Sequence, residues 1–324
     1  MATTGPQVVE FNVEAVRKRP GLYIGDTARY GLYHLGYFVL DMMLSASQSP
    51  PTRVEVRIEP GGSLQICADC EPNDLDSLIA LLDAGSYRGP PEALAINRWW
   101  ELLTVSALSE ELSLRWAGAR GGGSWTGQRG KRVESSRHDA SKESLSEVRF
   151  KVDGDLFSTH EFSFDHVAGR MRELAALYPG LRTRTIDSSQ AREAVVSFPK
   201  GLVNLVSELS GINTEFAEPV AVEHTWGKVQ IRGALQWTYG TEVESLVVSY
   251  ANEVRTRGGG KHVTGLLRAV DEAGRSGLWK AREGLVAAIA VHAPRTELVF
   301  KGPTKDVLAM GGLDEAARFR VLPD

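Results

Sequence analysis

VRKRPGLYIGDTARYGLYHLGYFVLDMM, residues 16–43, is the stretch that decides the fold of this chain. A basic run and the turn pair Pro20-Gly21 lead into a short apolar segment. From Leu32 onward, apolar residues recur at steps of three and four, which is the period of an amphipathic α-helix. The pattern predicts a helix that starts near Thr27 as its N-cap and packs its apolar stripe against a sheet.

A predicted β-hairpin follows this helix. Residues 52–59, TRVEVRIE, alternate between polar or charged and apolar side chains, as a half-buried strand does. Pro60-Gly61-Gly62 turns the chain back into SLQICA, residues 63–68. Periodicity predicts further strands at 111–116, 147–152, 183–186, 194–197, 220–224, 228–237, 242–251 and 285–292, and helices at 75–85, 165–178 and 201–209.

The segment VRKRPGLYIGDT (16–27), followed by GLYHLGY (31–37) and an aspartate, resembles the opening of the ATPase region of gyrase B and topoisomerase IV subunits, which belong to the GHKL superfamily. The resemblance runs from Glu14 to about Met310 and includes ALQW, NEVRTRGGGKH and REGLVAAIAV. It implies an α+β fold. Residues 1–198 are expected to form a Bergerat-type helix-on-sheet sandwich, and residues 199–324 a transducer-like domain of the ribosomal-S5-like α/β type.

The residues that carry the chemistry in that family are missing from the first helix. The resemblance places the family's water-activating glutamate at Phe38 and its magnesium-binding asparagine at Met42. A phenyl ring cannot accept a proton, and a thioether is a poor ligand for a hard cation that prefers oxygen. We therefore expect both side chains to be core residues, with no catalytic residue and no metal site.

The adenine-binding part of the family site is altered as well. An ungapped alignment places Ala68 where the family has the aspartate that binds the adenine amino group, and a shift of one residue would bring Asp69 there instead. Both alternatives stay open. Cys70 and Pro72 stand where the family has glycines. A side chain at position 70 and the fixed φ of Pro72 obstruct the approach of a base in either register.

The family's glycine-rich lid, whose backbone amides wrap the phosphates, is replaced by Trp99-Trp100. The two indole rings can either fill the vacated space or form an exposed aromatic patch for a partner, and we favour the first alternative. Pro303 stands where the family has the glutamine that reaches the γ-phosphate. Lys305 matches the family's lysine in the same loop, and we interpret it as a surface or salt-bridge residue that no longer contacts a phosphate. The sequence therefore predicts that no nucleotide cofactor is bound.

For three other motifs we prefer an interpretation without a functional site. Cys67 and Cys70 form a CxxC pair, which could be a redox site or half of a zinc site. No second CxxC occurs, so we prefer neither of these two interpretations. Residues 117–147 are predicted to be a solvated mobile loop, although their basic cluster leaves a nucleic-acid contact open. Residues 257–262 invite a phosphate-loop interpretation but lack its first spaced glycine. The basic cluster consists of Arg129, Lys131, Arg132 and Arg137.

The composition is that of an ordinary soluble protein. The 324 residues are 24% charged and 42% hydrophobic, with a net charge of −4, so there is no overall basic excess of the kind that nucleic-acid binders have. DNA binding stays open. The sequence lacks an apolar signal core at its start and any run of roughly 20 apolar residues, so we expect no membrane span and a cytoplasmic location. The N-terminal arm, residues 1–12, is short, which puts arm-swapped dimerisation in doubt.

Taken together, the sequence predicts a catalytically inactive homologue of the gyrase B ATPase-plus-transducer segment. It is expected to act as a protein-interaction or regulatory module, with a type II topoisomerase, a dedicated partner or a second copy of itself. The alternative is a divergent ATP-binding subunit that a partner completes in trans. A decoy for gyrase-directed antibiotics is weaker, because such drugs generally use the adenine-site aspartate.

Overall fold

The computed structural model describes residues 9–45, 50–71, 73–89, 99–211, 218–238, 245–274, 282–301 and 305–318. The chain divides into two compact units. Unit 1 comprises Met1–Arg172 and Leu181–Val196, and unit 2 comprises Glu173–Gly180 and Ser197–Asp324.

Unit 1 begins with β1 (Val9–Asn12), α1 (Val13–Lys18), α2 (Gly21–Ile24) and the long helix α3 (Arg29–Ser45). The start of α3 is capped by Asp26, whose Oδ1 accepts hydrogen bonds from the backbone N–H of Ala28 and of Gly31 at 2.9 and 2.8 Å. The predicted N-cap at Thr27 is therefore wrong by one residue. Glycine is needed at position 31, because a Cβ there would collide with the backbone carbonyl of Asp26.

The remaining elements of unit 1 are β2 (Arg53–Ile58), β3 (Ser63–Ala68), α4 (Leu75–Ala84), β4 (Ser86–Gly89), α5 (Trp99–Leu108), β5 (Ser109–Ala117), β6 (Gly122–Gln128), β7 (Lys131–His138), β8 (Leu145–Val152), α6 (Phe164–Leu177), β9 (Arg182–Asp187) and β10 (Arg192–Ser197). Eight strands form one sheet in the order β10-β9-β2-β3-β8-β5-β6-β7, and β1 pairs separately with β4. Within the large sheet, β2 and β9 run parallel.

The predicted hairpin of β2 and β3 forms the centre of this sheet. Val54, Val56 and Ile58 are buried while the charged residues between them are partly exposed, as the alternation requires. Helix α3 lies against β3, and the missing side chain of Gly36 allows the close approach, since a Cβ there would lie 3.1 Å from Leu64. One face of the sheet is therefore covered by helices.

The predicted mobile loop at 117–147 is wrong, because β6, β7 and the start of β8 occupy most of it. Its glycines have a packing role in the sheet. A Cβ at Gly123 would collide with the ring of Trp116, and one at Gly127 with the ring of Trp125. Glycine and serine suggested a loop, but here the glycines make room for two indole rings that lie across neighbouring strands.

Unit 2 contains α7 (Leu202–Ser210), β11 (Val220–Trp226), β12 (Val229–Trp237), β13 (Leu246–Ala251), β14 (Val254–Arg255), α8 (Lys261–Gly274), β15 (Leu285–His292), β16 (Phe300–Lys301), β17 (Val307–Leu308) and α9 (Leu313–Ala316). Five strands form a sheet in the order β11-β12-β15-β13-β14, in which β13 and β15 run parallel. Among the described residues of the chain, no helix combines the length and the apolarity that crossing a membrane requires.

Two histidines of unit 2 are held neutral by burial. The His262 side chain is fully buried, with its Nε2 3.2 Å from Thr256 Oγ1, and burial lowers its pKa to about 4. Burial, with a smaller contribution from the charge of Arg232, also lowers the pKa of His292 to about 4. In an unfolded chain both side chains titrate near pH 6.5.

We expect the free energy of unfolding to fall as the pH falls from about 6.5 towards 4, because the unfolded chain then binds protons that the folded chain excludes. The loss should reach a few kcal/mol, since one pKa unit corresponds to about 1.4 kcal/mol per group. Urea unfolding between pH 7 and pH 4.5 measures this slope. The variant His262→Gln should show a shallower slope than the wild type, and an unchanged slope would contradict the assignment.

Candidate functional site

The structure places most of the predicted site residues in unit 1. Phe38 and Met42 lie on α3, Ala68 ends β3 with Asp69 and Cys70 directly after it, and Trp100 lies in the first turn of α5. Lys305 lies in unit 2. Pro72, Pro303 and the side chain of Trp99 lie outside the described residues.

Phe38 belongs to an aromatic cluster, in which it packs between Trp100 and His34; the other members are Phe11 and Tyr23. The Phe38 side chain is only 4% exposed. Its ring centroid lies 5.1 Å from that of Trp100 in an edge-on arrangement and 4.9 Å from that of His34. Edge-to-face pairs of this kind contribute about 0.5–1.5 kcal/mol beyond the area they bury. Position 38 therefore provides packing and no carboxylate.

Met42 and Cys70 line a narrow cleft whose other walls include Leu78 and Leu102. With its open mouth the cleft encloses about 520 Å³, but the interior that a water-sized sphere can enter is about 40 Å³. Because one water needs roughly 10–15 Å³ by that measure, the interior holds a few waters and not a nucleotide. Cys70 is buried here, with its Sγ 3.8 Å from the carbonyl oxygen of Met43.

Asp69 points away from this cleft. Its carboxylate accepts hydrogen bonds from the backbone N–H of Thr52 and of Arg53 at 2.8 and 2.7 Å, and from the Thr52 hydroxyl at 2.5 Å. Partial burial alone would raise the pKa of Asp69, but these hydrogen bonds outweigh it and hold the pKa below its usual value. Ala68 is buried on the side of β3 that carries Leu64 and Ile66. This geometry favours the ungapped alignment, in which Ala68 takes the adenine position.

The aspartate that α3 shares with the family has a buried partner. Asp41 Oδ1 lies 3.2 Å from Arg170 Nη2, and the two side chains are 7% and 6% exposed. The Arg170 guanidinium also lies over the ring of Tyr37, 5.0 Å from its centroid, and the Tyr37 hydroxyl lies 2.6 Å from Nε2 of His166. The sequence analysis did not single out Arg170, because 129 residues separate it from Asp41 and no local pattern connects them.

The basic cluster of the predicted loop is largely neutralised. Arg129 bonds Asp153 and Asp155, Arg132 bonds Asp83, and Arg137 bonds Asp76. The alternative of a nucleic-acid contact required these guanidinium groups to be available for phosphates. The structure engages three of the four basic residues with carboxylates instead.

The two cysteines have different surroundings and are both free thiols. Cys67 is half-buried with its Sγ 3.7 Å from Glu147 Oε2, and burial together with the charge of Glu147 raises its pKa to about 12. A thiol with a raised pKa is a poor nucleophile. In the part of the chain that the structure describes, no three histidine, cysteine, aspartate or glutamate side chains are grouped so as to hold a metal ion.

The glycine run of unit 2 uses its amides within the fold. The N–H of Gly258 donates to the carbonyl of Asp306, and that of Gly259 to the carbonyl of Thr256, both at 2.9 Å. The ammonium of Lys261 lies 3.6 Å from Asp314. This arrangement does not favour the phosphate-loop interpretation. Lys305 has a left-handed φ of 56° and forms no salt bridge with any residue in the described ranges.

Comparisons with known proteins agree on one family. The family described as DNA gyrase B matches residues 201–318. The chain is 32% identical to the DNA gyrase B-subunit of Archaeoglobus fulgidus, over 92% of this chain and 51% of that protein. It is 29% identical to the DNA topoisomerase 4 B-subunit of Bacillus subtilis, over 93% of this chain and 50% of that protein. The chain thus spans about half the length of the curated relatives it matches.

Solved structures give the same answer for the fold. The B-subunit of DNA gyrase from Myxococcus xanthus superposes with a TM-score of 0.80 at 28% identity, covering 94% of this chain and 92% of that one. The ATPase domain of Thermus thermophilus gyrase B, solved with an aminocoumarin, superposes with a TM-score of 0.72 over 94% of this chain and 86% of that one. At 23% identity it supports the fold alone. The predicted fold class, a GHKL-type sandwich followed by a transducer-like domain, is confirmed, and the chain belongs to the family of gyrase B and topoisomerase IV ATPase subunits.

Proposed function

We propose that this chain is a pseudo-ATPase: a gyrase B-like ATPase-and-transducer segment that acts through protein contacts and not through nucleotide turnover. The partner is a type II topoisomerase, a dedicated regulatory protein or a second copy of the chain. The observation that carries the proposal is the packing of the buried Phe38 ring on Trp100, at the position where the resemblance places the catalytic base.

The chemistry of ATP hydrolysis requires groups that these positions do not supply. A positioned proton acceptor contributes roughly 10²–10⁴-fold to the rate of such a reaction, and a phenyl ring offers none. Magnesium needs oxygen ligands to neutralise charge on the transferred phosphoryl group, and Met42 offers a thioether beside an apolar cleft. The carboxylate of Asp69 is engaged by Thr52 and Arg53 and is not aimed at the cleft.

A phosphate-release assay on the purified chain tests this proposal. We expect no magnesium-dependent hydrolysis of ATP above the buffer rate. Magnesium-dependent turnover that changes in the variants Lys305→Ala or Asp69→Asn would contradict the pseudo-ATPase proposal. Turnover that appears only after mixing with a topoisomerase subunit would also contradict it and would support completion of the site in trans.

A further inference from the structure

The face of the eight-stranded sheet opposite the helices carries a network of ion pairs. On β2, Val54 and Val56 are buried, so the charged residues that alternate with them belong to the opposite face. Three arginines of that face lie 2.6–2.9 Å from carboxylate oxygens: Arg57 pairs with Glu55, Arg149 with Glu59, and Arg184 with both Glu55 and Glu193. A guanidinium without a close carboxylate is therefore an exception on this face.

Arg53 and Arg182 are such exceptions. They are direct neighbours on the parallel strands β2 and β9, so both side chains leave the same face of the sheet. Arg182 forms no ion pair and no side-chain hydrogen bond with any residue in the described ranges. The Nε of Arg53 lies 3.4 Å from Asp69, and the Arg53 side chain is 75% exposed. Because like charges side by side repel each other, an anion bound between the two arginines would remove an unfavourable interaction.

Both arginines line a groove of about 950 Å³ in unit 1. Sites for small molecules commonly enclose roughly 300–1,000 Å³. The groove also has apolar surface, since Leu145 and the 44% exposed side chain of Val195 form part of its wall. None of its lining residues lies on α3 or α5, so the groove is distinct from the cleft beside Met42.

The charges in the groove do not favour a ligand with several negative charges. Four carboxylates and three guanidinium groups line it: Glu55, Asp69, Glu143, Glu193, Arg53, Arg182 and Arg184. Two of the carboxylates are paired with Arg184, and that of Asp69 is engaged by backbone N–H groups. Glu143 forms no ion pair with any residue that the structure describes. The groove therefore presents poorly compensated charges of both signs: the two neighbouring arginines and Glu143.

We propose that this groove binds a small zwitterion of the amino-acid type. Its carboxylate bridges Arg53 and Arg182, because the planar guanidinium group matches the geometry of a carboxylate with paired N–H···O bonds. Its ammonium group supplies the counter-charge that Glu143 lacks. An apolar substituent covers Val195, which removes exposed hydrophobic surface from water.

This assignment adds a ligand to the chain and does not depend on the loss of ATPase activity. A triphosphate would bring several negative charges towards four carboxylates, so the groove is not an alternative site for ATP. ATP hydrolysis at α3 would leave the zwitterion site standing. Failure of a zwitterion to bind would leave the pseudo-ATPase proposal standing.

Three ligands that share a phenyl ring and differ in charge test the assignment on the full chain. L-phenylalanine carries both charges, phenylacetate carries the carboxylate alone, and phenethylamine carries the ammonium group alone. Ligand-observed NMR titrations give the three dissociation constants. We expect phenylalanine to bind about tenfold more tightly than either of the others, because each charge-assisted hydrogen bond is worth about that factor. Equal affinities, no binding of phenylalanine, or its displacement by an ATP analogue would overturn the proposal.

Variants of the groove separate its two charged sides. Arg182→Gln should weaken the binding of phenylalanine and of phenylacetate by about tenfold. Glu143→Gln should weaken phenylalanine but strengthen phenylacetate, since it removes the partner of the ammonium group and a like charge near the carboxylate. A change of the same sign for both ligands in Glu143→Gln would contradict the proposal.

The matched control is Arg149→Gln. It removes a guanidinium from the same face of the sheet, where Arg149 is paired with Glu59 and does not line the groove. The net charge of the chain changes by the same amount as in Arg182→Gln, but the three dissociation constants should stay within about twofold of the wild type. Equal effects of Arg149→Gln and Arg182→Gln would mean that the ligands respond to the overall charge of the surface, and the proposed site would be wrong.

Discussion

Replacing Phe38 by glutamate is expected to lower the free energy of unfolding by about 3 kcal/mol or more, without restoring ATP hydrolysis. The new carboxylate would be buried against Trp100 and His34, where the ring of Phe38 now packs. Simple loss of a buried phenyl group already costs about 3–5 kcal/mol when the cavity does not collapse. Restoring one catalytic group would leave Met42 and the narrow cleft unchanged, so no turnover should appear.

The pH dependence separates the buried charge from the lost packing. Burial raises the pKa of a carboxyl group, so the destabilisation of Phe38→Glu should grow as the pH rises from about 5 to 8. The control variant Phe38→Leu keeps an apolar side chain and should cost less, without that dependence on pH. Chemical denaturation of the three proteins gives these values. A Phe38→Glu variant as stable as the wild type at pH 8 would mean that position 38 lies in an open, hydrated site.

The second large effect is expected at the buried ion pair of α3. Asp41→Asn should lower the free energy of unfolding by about 3–5 kcal/mol, because it removes the negative charge from a buried ion pair and keeps the buried guanidinium of Arg170. The matched control is Asp76→Asn, which removes the partner of Arg137 from a pair whose side chains are 85% and 58% exposed. Exposed pairs contribute at most about 1 kcal/mol.

Denaturant titrations of both variants at one pH provide the comparison. Equal losses of stability in Asp41→Asn and Asp76→Asn would contradict a structural role for the pair of Asp41 and Arg170. The double variant Asp41→Leu with Arg170→Met should recover much of the loss, since replacing both charges by apolar groups of similar size is often neutral.

One of the family-specific motifs of the sequence has a structural role in this chain. Arg17, from the run VRKRP, donates from Nη1 to the carbonyl of Ala107 and from Nη2 to Asp153, both at 2.7 Å. Burial alone would raise the pKa of Asp153, but hydrogen bonds and the charges of Arg17 and Arg129 lower it overall. The motif thus ties α1 to the end of α5 and to the residue that follows β8.

The local pattern of apolar residues was sufficient to predict several elements of the core. The helix α3, the hairpin of β2 and β3 and the strand β15 follow directly from apolar spacing. The hairpin of β6 and β7 was not predicted, because its glycines make room for Trp116 and Trp125, which is a tertiary effect. The same limit applies to the cap of α3, where Thr27 and its neighbour Asp26 are both suitable residue types.

The losses at the candidate site could be predicted by position, and so could the filling of the space beside Phe38 by an indole, but the other aromatic partners and the geometry of the contacts could not. Phe38 and Met42 were visible as substitutions on a helix. The contact of Phe38 with Trp100 and the approach of Phe11 to the same indole join distant parts of the chain. The Asp69 side chain points away from the cleft because it follows Ala68 in an extended strand and because its carboxylate accepts a hydrogen bond from the backbone N–H of Thr52. No motif in the sequence indicated that hydrogen bond.

Isothermal titration of the full chain with a non-hydrolysable ATP analogue and magnesium is the most direct test of the central claim, that the nucleotide site is closed. We predict no saturable binding heat over the range of ligand concentrations in which a gyrase-type ATPase domain, titrated in parallel as a positive control, shows binding. The interior of the cleft beside Met42 has room for only a few waters, and the position of the family's catalytic base is occupied by the ring of Phe38 packed on Trp100. One-to-one binding that is weakened by Asp69→Asn or Lys305→Ala would contradict the account.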